Sequence, residues 1–79
     1  IRDKGLEIVE VKIPPDSATV GKAVKELSLP SGSVLSLIIR KKEKPFIPAA
    51  DTVLQAGDQI VAVTSPESEE ALRTLLRGD

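Results

Sequence analysis

The sequence has no cysteine, histidine, methionine, tryptophan or tyrosine, and its one aromatic residue is Phe46. Without cysteine there is no disulfide frame, thiolate nucleophile, haem attachment or iron–sulfur ligand. Without histidine there is no imidazole base, no serine–histidine–acid triad and no ordinary zinc site, and no metal site is expected. One phenylalanine cannot build the stacking platforms that hold single-stranded nucleic acid. Charge of one sign is also lacking: 11 basic residues stand against 12 acidic ones, a net charge of −1. That balance gives no general attraction to nucleic acid or anionic lipid, so no nucleic-acid partner is expected. The apolar runs are only a few residues long, far short of a membrane helix. Catalysis would have to rest on carboxylates, lysines and hydroxyls, and the expectation is that the chain is not an enzyme.

What is present is a globular composition, 41% hydrophobic and 29% charged in 79 residues. Surface scaling predicts that folding buries roughly 60% of the open chain's surface, enough for one small core and no second domain. The chain opens on Ile1, with no basic–apolar–small leader pattern, and is expected to be a segment of a longer protein. The cytoplasm is the default compartment.

Leu6 to Ile13 reads as a strand: Val9, Val11 and Ile13 alternate with Glu10 and Lys12. Leu6 and Ile8 alternate in the opposite phase, which predicts a bulge between Ile8 and Val9 or cover on both faces. Pro14-Pro15 ends the strand. Asp16, Ser17 and Thr19 offer helix-starting oxygens, and Val20, Ala23, Val24 and Leu27 then fall at i, i+3, i+4 and i+7. That spacing predicts a two- to three-turn helix with Gly21 in its first turn. Val34 to Arg40 is a second strand. Strict alternation places Leu35, Leu37 and Ile39 on the core face, with Val34, Ser36, Ile38 and Arg40 opposite. The mixed face is either a contact surface or a side covered by a helix.

A polar turn follows, then a short strand Pro45-Phe46-Ile47 expected to pair back as a hairpin, confined to an edge by its prolines. In the next loop Leu54 is expected to turn inward and Gly57 to need a positive φ. Gln59 to Thr64 is a buried strand. Ser65-Pro66-Glu67 starts a last helix, with Ala71, Leu72, Leu75 and Leu76 as its stripe, a Glu69–Arg73 pair outside, and Gly78 to close it. The order β-α-β-β-β-α gives an α+β fold, a small single domain with a mostly antiparallel sheet and two helices.

Asp51 and Asp58 invite a metal or acid–base reading, but turn chemistry accounts for Asp51, Thr52, Gly57 and Asp58 as structural residues. Lys41, Lys42 and Lys44 read as solvated charges on a hairpin turn. Arg40 differs, because alternation fixes it beside an apolar surface, an arrangement that suits a phosphate carried on a flat ring system. At a strand end it packs little apolar area, so its removal is expected to leave stability nearly unchanged.

Three ordered blocks carry a family resemblance: Gly21-Lys22-x-x-x-Glu26-Leu27-x-Leu29-Pro30, then Val34-x-x-Leu37-Ile38-Ile39-Arg40, then Ile47-Pro48-x-x-Asp51-Thr52-x-Leu54-x-x-Gly57-Asp58-x-Ile60-x-Val63. Together they resemble the TrkA C-terminal (RCK-C) domain, over about Leu6 to Leu75. The resemblance implies residues 1–5 as a linker or expression remnant, 6–77 as the regulatory domain, and 78–79 as a tail. It implies a cytoplasmic, homodimerising regulatory domain of a potassium or other ion transport protein, peripheral to or part of an inner-membrane system. Its partner would be a membrane channel or transporter subunit. The ligand it implies is cyclic di-AMP at the dimer interface, with candidate contacts at Val34, Ile38, Ile39 and Arg40. The alternative is a ligand-free structural dimerisation module. One departure bears on the ligand: family members often carry Gly, Asn or Asp after the arginine, where this chain has Lys41-Lys42-Glu43-Lys44.

Overall fold

Alternation sets the first strand as expected. In the computed structural model, which describes residues 5–78, β1 spans Glu7–Lys12, with Val9 and Val11 buried and Ile8, Glu10 and Lys12 exposed. No bulge separates Ile8 from Val9: β1 pairs residue by residue with β3 (Gln59–Thr64), from Glu7 opposite Thr64 to Lys12 opposite Gln59. Ile8 instead stays on an uncovered face. The expected linker over residues 1–5 lies outside the described residues except for Gly5, as does Asp79.

The helix expected over Val20 to Leu27 is not there. Gly21 sits at φ +88, a left-handed conformation that breaks a right-handed helix at once. The backbone groups are satisfied across space instead. Gly21 N–H donates to Leu54 O, Leu54 N–H to Lys22 O and Val24 N–H to Thr52 O, each at 2.9 Å. Only Val24–Glu26 is helical, as one 3-10 turn, with the Glu26 carboxylate accepting from Ala23 N–H at 2.7 Å. Ser17 and Thr19, expected to start that helix, close another: the Ser17 hydroxyl donates to Leu76 O at 2.8 Å and the Thr19 hydroxyl reaches the same carbonyl at 3.4 Å.

The second strand, β2 (Val34–Ile39), pairs antiparallel with β3, and the sheet order is β1-β3-β2. Its ladder slips between Leu35 and Leu37, with Ser36 as the extra residue and its hydroxyl donating to Val61 O at 3.0 Å. A bulge shifts the alternation by one residue. The core side chains of β2 are therefore Leu35 and Ile38, while Val34, Leu37 and Ile39 lie on the outer side. The strict alternation read from the sequence holds only for the first half of the strand. The expected strand Pro45-Phe46-Ile47 is reduced to one bridge, Phe46 opposite Ile38, with hydrogen bonds of 2.9 and 3.1 Å.

After Ser65 the chain makes a 3-10 turn, Pro66–Ser68, and then α1, Glu69–Arg77. Ser65 has the extended backbone of a helix-starting residue but no side-chain capping bond. Leu72 and Leu76 are buried, Glu69 and Arg73 pair at 2.9 Å, and Gly78 closes α1 at φ +80 as its position predicted. Val9, Val11, Ile13, Leu35, Ile38, Leu54, Ile60 and Ala62 join Leu72 and Leu76 in one core. The fold is α+β, with an antiparallel three-stranded sheet, and α1 is the one α-helix among the described residues.

Candidate functional site

All the core lies on one side of the sheet, so the other side defines the candidate surface. The register aligns Val34, Val63 and Ile8 across the three strands, and Leu37 sits opposite Val61 in the next outward row. Val34 is 60% exposed and Ile8 48%, while Leu37, Val61 and Val63 are half-buried. Ile39 follows along β2 at 37%, and Ile47, beyond the Phe46 bridge, is more exposed still. These side chains form an apolar patch that changes to polar at its end, where Gln59 donates to the Glu10 carboxylate.

Of the four residues expected at a ligand, the structure places Val34 and Ile39 on this surface, while Arg40, just past the end of β2, turns its guanidinium to Asp58 and Val53 O. Ile38 points the other way and is fully buried. The bulge at Ser36 causes the difference. Leu37 and Ile47, which strict alternation did not offer, take the surface positions.

Arg40 is not a free cation. Its Nε and one terminal nitrogen donate to the two carboxylate oxygens of Asp58, both at 2.8 Å, and that nitrogen also donates to Val53 O at 3.0 Å. The guanidinium carbon stands 5.2 Å from the centroid of the Phe46 ring. Asp58 is 1% exposed and also accepts from Gln55 N–H at 2.9 Å. This two-pronged geometry is the strong form of a charge-assisted pair. Hydrogen bonding to Asp58 raises the Arg40 pKa against an opposing effect of burial, so the guanidinium is held charged. Removing Arg40 would strand a buried carboxylate, which overturns the expectation that its loss is nearly neutral.

Gly57 is at φ +86, and its N–H donates to Ile13 O at 2.8 Å, which ties the turn before β3 to the end of β1. In the neighbouring turn Thr52, not Asp51, supplies the side-chain bond, its hydroxyl accepting from Ala49 N–H at 2.9 Å. Among the described residues no three acidic side chains gather where they could hold a metal ion, and no helix is long and apolar enough to cross a membrane.

Compared with known proteins, residues 8–77 match the TrkA-C domain. The Trk system potassium uptake protein TrkA of Mycobacterium tuberculosis is 36% identical over 69 residues, which is 87% of this chain and 31% of that protein. The Trk system potassium uptake protein TrkA homolog of Archaeoglobus fulgidus is 37% identical over 68 residues, 86% of this chain and 15% of that protein. The chain thus spans about a third or less of the length of these relatives. A solved structure described as "Structure of RCK domain with cda" superposes with a TM-score of 0.77 at 20% identity, covering 89% of this chain and 97% of that one, and shares the fold. With the family match running through all three strands and α1, the chain belongs to the TrkA-C domain family.

Proposed function

We propose that this chain is a cytoplasmic regulatory domain of a potassium or other ion transport protein, and that it works as a homodimer. Membership of the TrkA-C family and the potassium uptake proteins among its relatives support the transport reading. The observation that carries the dimer is the uncovered sheet face, where Ile8, Val34, Leu37, Ile39 and Ile47 present apolar surface to solvent. Two such faces meeting across a two-fold axis would cover one another. A stable dimer buries about 800 Å² per partner, about a sixth of this chain's 4976 Å². A ligand at that axis would favour one arrangement of the two protomers and pass the bias to a transporter subunit.

The ligand we propose is cyclic di-AMP, its adenines on Val34, Leu37 and Ile39 and its phosphates toward Arg40. A solved relative in fold is described "with cda", which supports this choice. A second reading, a dimerisation module without ligand, is favoured by the Arg40–Asp58 pair, which already occupies the guanidinium fork. Sedimentation at micromolar concentration is expected to give about twice the 8.4 kDa chain mass, and Val34→Lys to give a monomer. A monomeric parent chain at high concentration overturns the dimer. Calorimetry with cyclic di-AMP then separates the two readings: stoichiometric heat supports the sensor, and silence from an intact dimer supports the module.

A further inference from the structure

The turns over residues 40–43 and 55–58 face each other across a cleft of about 290 Å³ at the end of the sheet. Arg40, clamped by Asp58, lines it together with Lys12 and Lys41. Neither lysine has an ion-pair partner among the described residues, and the N–H of Ala56, another lining residue, has no acceptor among them. Arg40 keeps one terminal nitrogen outside its bonds to Asp58 and Val53. With Asp58 neutralised by Arg40, Glu43 is the remaining negative charge, set against two lysines. The charge balance therefore favours an anion.

Next to this cleft, and sharing Lys12, Ala56 and Gly57 with it, is a shallow hollow walled by Ile13, Pro14 and Pro15. The combination is a cationic end continuous with a rigid apolar wall. Lys12, Arg40, Lys41 and Ala56 bring donors from the end of β1, the end of β2 and the turn before β3, a set of three separate segments that suits the several oxygens of a phosphate dianion. The proline wall matches a compact ring or hydrocarbon attached to it.

We propose that this cleft binds a small phosphate monoester, with Lys12 and Lys41 receiving the phosphate and Pro14-Pro15 packing on its organic group. The site is separate from the outer sheet face and shares only Arg40 with the reading given for that face.

Phenyl phosphate and inorganic phosphate are the probes, followed by amide chemical shifts of the whole chain. Saturable shifts at Lys41, Ala56 and Gly57 are expected, with phenyl phosphate binding more tightly than inorganic phosphate. The double variant Lys12→Gln, Lys41→Gln should weaken binding about tenfold or more, while Glu43→Gln should strengthen it. All three positions are exposed, so the variants should keep the parent amide spectrum. Absence of saturable shifts at tens of millimolar, shifts confined to Val34 and Ile39, or indifference to the lysine variants overturns the proposal. Sedimentation on the same samples keeps the two ideas apart. A dimer that ignores phenyl phosphate loses the cleft and keeps the sheet-face reading, and a monomer that takes it does the reverse.

Discussion

The two faces of the sheet are built from the same residue types and end in different environments. Inward, Leu35, Ile38, Ile60 and Ala62 share one buried core with Leu54 and with Leu72 and Leu76 of α1. Outward, Ile8, Val34 and Ile39 are exposed and Leu37 is half-buried. The contrast holds between two neighbours of one residue type: Ile38 is fully buried and Ile39 is 37% exposed. Hydrophobicity does not separate them, and position relative to one inserted serine does. The core of this domain is selected by register, and the apolar residues left over stay on its surface.

The largest expected effect lies at the end of β2, where Arg40 crosses from the strand to Asp58. Asp58→Ala removes the acceptor for two guanidinium bonds and for the Gln55 amide. A loss of about 3–5 kcal/mol is expected, toward the lower end because Arg40 retains some contact with water. At ~4–8 °C per kcal/mol in a domain of this size, thermal melting would show it plainly. A loss below about 1 kcal/mol would mean that the pair is dispensable.

The paired variants Ile38→Ala and Ile39→Ala test the contrast itself. The first should cost about 2–5 kcal/mol in chemical denaturation, the usual range for a buried isoleucine. The second should cost less than about 1 kcal/mol, because much of its area already faces water. Equal losses would place the bulge elsewhere. The smallest effect is expected for Ile8→Ser at concentrations where the chain is monomeric, within about 0.5 kcal/mol of the parent. A larger loss would show that the outer face packs within the monomer.

Much of this was legible in the sequence where a pattern is local. Val9, Val11 and Ile13 fixed the face of β1, Pro66 and Gly78 marked the last helix, and Gly57 marked its turn. What was not legible depends on pairing across distance. Nothing near Ser36 signals an extra residue, since the segment is apolar and β-branched throughout. The spacing of Val20, Ala23, Val24 and Leu27 satisfies a helix as well as the observed pairing with residues 50–54, and only the φ of Gly21 decides. The Arg40–Asp58 pair joins residues 18 apart. It becomes predictable once β2 is known to run antiparallel to β3, because Ile39 opposite Gln59 places Arg40 next to Asp58.

The middle strand of the sheet is also the last to be synthesised. β1 and β2 never touch as a ladder; each pairs only with β3. On the ribosome, residues 7–12 and 34–39 must therefore wait, with unpaired edges, until residues 59–64 emerge. The β2–β3 pairing then closes a loop of about twenty residues, and β1 closes one of about fifty, which orders the two events by chain entropy. A chain interrupted before residue 59 would hold two strands and no sheet.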